Sequence, residues 1–132
     1  MLSALGISAT GLEARRVWMN TIAENIANAE TTRDANGFPN PYRRREPLFQ
    51  ADPQGGAIGV RVQDVVPDLS EFNSRYEPGH ADADEDGMVL YPNINVVQEM
   101  VDMLMASRSY EANVTAMETT KSMFSSAMRI IG

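Results

Sequence analysis

The sequence contains no cysteine, which excludes disulfide bonds, thiolate-bound zinc and a cysteine nucleophile. It has a single histidine, His80, so no cluster of imidazole ligands can form. Aromatic residues number one Trp, four Tyr and four Phe, too few for an extensive surface on which nucleic-acid bases could stack. We therefore expect neither a metal nor another cofactor.

Negative charge is concentrated in the middle of the chain. The formal net charge of the chain is −7. Residues 52–86 account for it, because they contain nine Asp and Glu and only two Arg, and the flanking regions are nearly neutral. An acidic protein repels phosphates, so we expect no nucleic-acid partner. The short basic run Arg43–Arg45 is interpreted as a solvated or partner-pairing patch.

Long hydrophobic runs are also missing. No apolar segment approaches the roughly 18 residues of a membrane-spanning helix, so no membrane insertion is expected. A cleavable signal peptide needs an uninterrupted apolar stretch, which Arg15, Arg16 and Glu24 break up here. The chain is expected to be cytoplasmic, or exported by a route that leaves its N-terminus intact.

Near the N-terminus, apolar residues follow a helical period. Leu5, Leu12, Met19 and Ile26 recur every seven residues, and Ile22 lies beside them. This spacing predicts a helix over about residues 2–28, roughly 40 Å long, with one narrow apolar stripe.

A longer pattern occupies the C-terminal region. Steps of four and three residues starting at Val96 select the series Met100, Met103, Ser107, Tyr110, Val114, Met117, Lys121, Phe124, Met128 and Ile131. A second row (Val97, Val101 and Leu104) widens this stripe at its start. We predict a helix over about residues 94–131, roughly 55 Å long, capped by Asn93 or Asn95.

Neither helix can bury a one-sided stripe alone, so pairing the two ends of the chain is the simplest solution. The predicted fold is mainly α with a small β-rich insertion. The long terminal helices form a coiled-coil-like hairpin around a short-stranded middle segment. The alternative is an ordinary small bundle closed by a third element, although no third helical pattern is evident. A 55 Å helix exceeds a compact domain of this size, so part of its stripe is expected to meet other chains.

Residues 29–92 hold all seven prolines and six of the nine glycines. Extended segments are predicted at Pro41–Gln50, Val60–Val62 and Gly87–Tyr91, with a turn at Gly55–Gly56. Three regions result: an N-terminal helix over residues 1–30, a β- and turn-rich segment over 31–92, and a C-terminal helix over 93–132.

The segment Asp82–Gly87 matches the first six positions of an EF-hand calcium loop, with carboxylates at positions one, three and five followed by glycine. The twelfth position requires a bidentate Glu but is Asn93, and the ninth is Leu90. A solvated acidic turn is the favoured interpretation, and a calcium-binding module stays as a minor alternative. No other arrangement resembles an active site, so no enzymatic activity is expected.

Several segments together resemble the bacterial flagellar rod and hook proteins. Ser8–Leu12 and Ile22–Thr32 resemble the N-terminal motif of this family. Pro41–Arg44, Tyr76–His80, Tyr91–Val96 and Ala106–Val114 are similar to one member in particular, a subunit of the proximal rod. The resemblance covers about residues 1–50 and 76–132, and residues 51–75 carry no motif that can be placed.

The resemblance implies a structural subunit of the flagellar basal-body rod, located in the periplasm. Such a subunit polymerises through its terminal helices into the torque-transmitting shaft around the export channel, with the middle segment outside. Its implied partners are further copies of itself, proximal and distal rod proteins, and the flagellar type III export apparatus, which needs no cleaved signal. Another rod or hook component of the same family is the alternative.

The stripes and the motifs together define an expected assembly interface. Its members are Leu5, Leu12, Met19, Ile22, Asn25, Ile26, Asn28, Tyr42, Arg43, Arg44, Val96, Met100, Met103, Tyr110, Val114, Met117, Phe124, Met128 and Ile131. Asn25 and Asn28 are expected to end the first helix, and Arg43–Arg45 to pair with the acidic segment of a neighbouring subunit.

Overall fold

Two long helices flank two small sheets in the computed structural model, which describes residues 2–53 and 59–132. Helix α1 spans Leu2–Ala27 and helix α2 spans Val96–Ile131. Between them lie the strands β1 (Arg45–Asp52), β2 (Gly59–Pro67), β3 (Asn73–Tyr76) and β4 (Met88–Tyr91). Both predicted helices are thereby confirmed, and the Asn95 side chain caps α2 by accepting a hydrogen bond from the Gln98 N–H.

The two helices pack antiparallel in one continuous register. Gly11 lies against Asn113, Arg15 donates to the Ser109 hydroxyl at 2.8 Å, and Asn25 contacts Glu99. The step from the first contact to the second is four residues forward along α1 and four residues back along α2. The step from the second contact to the third is ten residues on each helix, again in opposite directions. The approach is close, because a Cβ at Gly11 would lie 3.1 Å from the Asn113 amide nitrogen. The predicted helical hairpin is confirmed.

The antiparallel pair β1–β2 packs against α1. Phe49 meets the Trp18 ring edge-on, and the Arg15 guanidinium lies over both rings. Two residues from Val62, the β2 partner of Phe49, the Val60 N–H donates to the Thr10 hydroxyl, next to Gly59. The strands are therefore fixed to the helix at two points, and their register changes once, between Leu48 and Phe49.

The second antiparallel pair, β3–β4, forms a separate small core. Val89, Tyr91 and Ile94 are buried there. The Tyr91 hydroxyl donates to Glu77 at 2.7 Å, and the Arg75 guanidinium lies 4.1 Å from the Tyr91 ring centroid. Hydrogen bonding to Glu77 raises the pKa of Tyr91 above its ordinary value, so the hydroxyl stays protonated and donates.

The strands at Arg45–Asp52, Gly59–Pro67 and Met88–Tyr91 overlap the three predicted extended segments, whereas β3 was not predicted. The predicted turn at Gly55–Gly56 lies outside the described residues. Among residues 2–53 and 59–132 there is no third helix to close a bundle. Nor does any helix in those residues have a stretch of the length and apolarity needed to cross a bilayer.

Candidate assembly interface

An apolar groove runs along the junction of α1 and α2. Leu5 and Leu12 line it from α1, and Val114 and Met117 line it from α2. Its volume is about 440 Å³, with Glu118 and Lys121 also among its lining residues. The two stripes predicted from the sequence therefore meet at one open groove.

The groove lies beside the closest contact of the helices rather than within it. That contact uses Gly11 and Arg15 on α1 with Asn113 and Ser109 on α2, so Leu12 and Val114 are each one residue away from it. One residue turns a helix by about 100°, which leaves the stripe side chains at the edge of the contact. They are consequently half-buried and open to a further partner.

The expected interface residues divide into three groups by exposure. Ile22 and Asn25 are buried inside the chain. Met100, Phe124, Met128 and Ile131 are exposed. The others are half-buried, namely Leu5, Leu12, Met19, Ile26, Asn28, Tyr42, Arg43, Arg44, Val96, Met103, Tyr110, Val114 and Met117.

Asn25 joins the end of α1 to the start of β1. Its Nδ2 donates to the Arg45 carbonyl at 2.8 Å, and its Oδ1 accepts from the Arg45 N–H at 3.0 Å. The side-chain amide thus pairs with both backbone groups of Arg45, as a neighbouring strand would.

Asn28 acts just beyond the helix end, where its Nδ2 donates to the Glu24 carbonyl and its Oδ1 accepts from the Thr31 hydroxyl. Asn28 accordingly stabilises the helix terminus, as expected from the sequence.

Glu99 is buried in the first turn of α2, with its side chain 1% exposed. Its Oε1 accepts from the Arg44 Nε at 2.5 Å, and its Oε2 accepts from the Asn25 amide at 3.4 Å. A carboxylate so far from water is tolerated only when it is paired. We call the group Asn25, Arg44, Asn93 and Glu99 the joint, because it connects the end of α1, the start of β1 and the start of α2.

Arg44 is surrounded by carboxylates. Besides Glu99, its guanidinium lies 3.1 Å from Glu46, 3.4 Å from Asp68 and 4.0 Å from Asp102. Burial lowers the pKa of Arg44, but its hydrogen bonds and charge interactions with Glu99 and Glu46 outweigh this and raise it. The pKa of Asp68 is lowered, mainly by a hydrogen bond from the Ser70 backbone, with Arg44 contributing.

Asn93 completes the joint through the backbone. Its Oδ1 accepts from the Arg44 N–H at 2.9 Å, and its Nδ2 donates to the Asp68 carbonyl at 3.1 Å. Tyr42, just before the joint, donates its backbone N–H to the Thr31 carbonyl. Burial raises the pKa of the Tyr42 hydroxyl.

The Arg43–Arg45 run is engaged within the chain. Arg43 donates to the carbonyls of Asp68 and Ser70 and lies 4.1 Å from the Phe72 ring centroid. Arg44 reaches Asp68, in the acidic segment of the same chain. Arg43 and Arg44 are thus already bound inside the chain, and pairing of Arg43–Arg45 with the acidic segment of a neighbouring subunit stays a prediction.

The acidic loop does not converge as an EF-hand does. Asp82 pairs with Arg33 at 2.6 Å and accepts from the Thr32 hydroxyl at 2.9 Å. Asp84 accepts from the backbone N–H groups of Asp86 and Met88. Hydrogen bonding to Arg33 lowers the pKa of Asp82. Within the described ranges, no three His, Asp or Glu side chains are grouped so that they could hold a metal ion.

Sequence reasoning did not identify Glu99 as a structural residue, because a carboxylate at the start of a helix is usually solvated. Only the structure shows that Glu99 lies on the side of α2 that faces α1, where Ala106 is also buried. The expected interface also omitted the exposed apolar side chains Val97, Val101 and Leu104, although their spacing had been noted.

Two family models match the ends of the chain. Residues 5–33 match a model described as flagella basal body rod protein. Residues 85–130 match one described as flagellar basal body rod FlgEFG protein C-terminal. The first match includes most of α1, and the second includes nearly all of α2.

Relatives named "Flagellar basal-body rod protein FlgC" match almost the whole chain. The protein from Borreliella burgdorferi is 39% identical, with 99% of this chain and 97% of the relative covered. The protein from Bacillus subtilis is 38% identical, with 96% and 95% covered. The Aquifex aeolicus protein is 43% identical, with 94% and 92% covered.

Proposed function

Because the chain belongs to the FlgC family of flagellar basal-body rod proteins, and is thus a structural and non-enzymatic rod subunit, we propose that it polymerises through α1 and α2 into the torque-transmitting shaft around the export channel. The apolar groove at the α1–α2 junction carries this proposal. Leu5, Leu12, Val114 and Met117 line a surface that the described residues of the chain leave open.

The groove supports assembly for an energetic reason. Apolar surface gains about 25 cal/mol for each Å² removed from water, so half-buried side chains favour a neighbouring helix. Repeating such a contact along a non-closing axis produces a shaft. The interface comprises the half-buried and exposed members of the predicted set other than Arg43 and Arg44. These two arginines, together with the buried Ile22 and Asn25, support it from within the chain.

The three regions of the chain have different positions in the proposed shaft. Residues 1–30 and 93–132 form the inner tube, and residues 31–92 form the outer segment. The joint fixes the angle between them, because Arg44 and Glu99 connect the start of β1 to α2.

The family implies assembly with rod proteins. We assign as specific partners further copies of this chain and the adjoining proximal and distal rod subunits. Delivery to the periplasm is through the flagellar type III apparatus. A cysteine-free chain suits such a route, because it cannot form disulfides in an oxidising compartment.

The experiment replaces Val114, which lines the groove, with Asp. In cells that lack their own copy of this rod subunit, Val114→Asp is expected to abolish swimming and to be absent from isolated basal bodies, because a charge in an apolar interface is not compensated. Thr115→Asp, on the adjacent exposed position of α2, is expected to retain both.

Circular dichroism of the purified Val114→Asp chain must match that of the unchanged chain, so that misfolding does not explain the loss. Ile26→Asp, at a half-buried position of the α1 stripe outside the groove, is also expected to block assembly. Normal swimming of the Val114→Asp variant would refute assembly through this groove.

A further inference from the structure

The loop between β3 and β4, residues 77–87, contains the single histidine of the chain, His80. The His80 N–H donates to the Glu77 carbonyl at 3.0 Å, and the His80 carbonyl accepts from the Ala83 N–H at 3.1 Å. The imidazole lies edge-on to the Tyr91 ring, and the side chain is 31% exposed. The backbone is therefore fixed on both sides of His80, while the imidazole keeps access to water and can exchange a proton with it.

The Nδ1 atom of His80 lies between a donor and an acceptor of the same residue, Asp82. It accepts the Asp82 backbone N–H at 3.0 Å, and it lies 3.9 Å from Oδ2 of the Asp82 carboxylate. A ring nitrogen that accepts a hydrogen bond carries no proton, so the neutral imidazole holds its proton on Nε2. A proton on Nδ1 would turn this acceptor into a donor, which the backbone N–H repels and the carboxylate attracts.

The Asp82 carboxylate attaches the loop to the segment after α1, residues 28–44. Its side chain is 4% exposed, and Nη2 of Arg33 lies 2.6 Å from its Oδ1. Its Oδ2 accepts from the Thr32 hydroxyl at 2.9 Å and from Nε of Arg33 at 3.2 Å. Hydrogen bonding to Arg33 lowers the pKa of Asp82, so the carboxylate is ionised near neutral pH and attracts a further cation.

The other titratable side chains around the loop are bound elsewhere. The Tyr91 hydroxyl donates to Glu77 at 2.7 Å. Arg75 lies over the Tyr91 ring and pairs with Glu30 at 3.1 Å. Asp84 accepts from backbone N–H groups of its own turn. Within the described ranges, no second carboxylate lies within 4.0 Å of the imidazole nitrogens, so the attached one is its ion-pair partner.

We propose that His80 is a pH-sensitive switch that sets how firmly the loop 77–87 holds the segment after α1. The neutral ring accepts the Asp82 N–H through Nδ1, which leaves Oδ2 to Thr32 and Arg33. When the imidazole takes up a proton from water, the new Nδ1–H leaves the backbone N–H and turns to Oδ2. It then competes there with the two groups from the segment after α1, so the attachment weakens. Histidine side chains change charge between about pH 5 and 8, which places the switch near neutral pH.

Nuclear magnetic resonance of the isotope-labelled chain tests the switch, because one histidine gives one set of imidazole signals. At about pH 8 we expect the tautomer with its proton on Nε2. As the pH is lowered to about 5, the Asp82 amide and the Arg33 Nε signals should shift with the same midpoint as the imidazole nitrogens. Hydrogen exchange at the Asp82 amide, corrected for the intrinsic effect of pH, should become about fivefold faster, as expected for one lost hydrogen bond.

The matched control is His80→Asn. An Asn side chain can accept the N–H two residues ahead through its own carbonyl oxygen, but it does not take up a proton. The Asp82 amide should therefore stay protected from exchange at both ends of the pH range. His80→Ala removes the acceptor and should give the faster exchange at every pH. If association of the chain broadens the resonance signals, hydrogen exchange followed by mass spectrometry of a peptide spanning residues 77–87 gives the same comparison.

Three results would overturn the inference. They are a proton on Nδ1 at about pH 8, Asp82 amide exchange that does not change while the imidazole titrates, and an equal pH dependence in His80→Asn. All three measurements concern one loop of the single chain, so none of them bears on assembly into the rod. The proposed function therefore stands or falls separately, by the Val114→Asp experiment.

Discussion

At the scale of single residues, the joint depends on one buried charge. Glu99 is 1% exposed and holds both Arg44 and Asn25, which come from separate parts of the chain. A buried ion pair often adds little net stability, since desolvation offsets attraction. Its geometry is nevertheless specific, because a carboxylate at Glu99 can satisfy both donors only when the end of α1 and the start of β1 are correctly placed.

Replacing Glu99 with Ala is expected to destabilise the folded chain by about 2 kcal/mol. The value is below the 3–5 kcal/mol typical of breaking a buried pair, because Arg44 keeps three other carboxylates within 4.0 Å. Urea denaturation followed by circular dichroism gives the free energy of unfolding.

The matched control is Glu111→Ala, at an exposed position of the same helix, which should change the free energy of unfolding by less than about 0.5 kcal/mol. Equal effects of the two substitutions would show that Glu99 has no special role.

At the scale of elements, the stripes identified both helices and the fact that they pair. They misplaced the closest contact by one residue, because Gly11 and Ser109 are small or polar and carry no hydrophobic signal. Close packing favours such residues, and the larger Leu12 and Val114 are left at the groove. A hydrophobic period thus predicts where apolar surface lies, whereas small residues decide where the backbones approach.

Strand β3 and the joint could not be predicted for a related reason. β3 is the short polar sequence Asn73–Tyr76, with all four residues exposed, so it has no alternating pattern. Its pairing depends on β4, which contains the buried Val89 and Tyr91. The joint connects residues up to 74 positions apart, and no local pattern reports on such contacts.

The attachment of the β1–β2 pair to α1 gives a prediction at this scale. A Cβ at Gly59 would lie 2.7 Å from the Thr10 hydroxyl oxygen and 3.2 Å from its methyl carbon. Gly59→Ala is therefore expected to push the strands from the helix and to cost about 1–2 kcal/mol in the free energy of unfolding. Gly79→Ala, where a Cβ would meet nothing within 4 Å, is the control. An unchanged stability of Gly59→Ala in urea denaturation would contradict this docking.

At the scale of the whole molecule, apolar surface is distributed unevenly. The buried hydrophobic residues of the described chain are few, and three of them, Ala14, Ala29 and Ala106, are small. On α2, burial is confined to Glu99 and Ala106 among the described residues, both in its first half. The second half of α2 is held only by half-buried contacts, and isolated helical segments of that length are marginal in water.

The helical content of the purified chain should consequently depend on its concentration. Helices α1, with 26 residues, and α2, with 36, make up just under half of the chain when both are fully formed. In dilute solution we expect far-UV circular dichroism to show less helix than this, because α1 covers the second half of α2 only in part. The signal should rise as copies associate and bury that surface, since binding that favours the ordered form shifts the equilibrium toward it. Sedimentation velocity on the same dilution series establishes which species is present. A monomer that is already half helical at every concentration would show that the helices form before assembly, and that polymerisation joins preformed subunits.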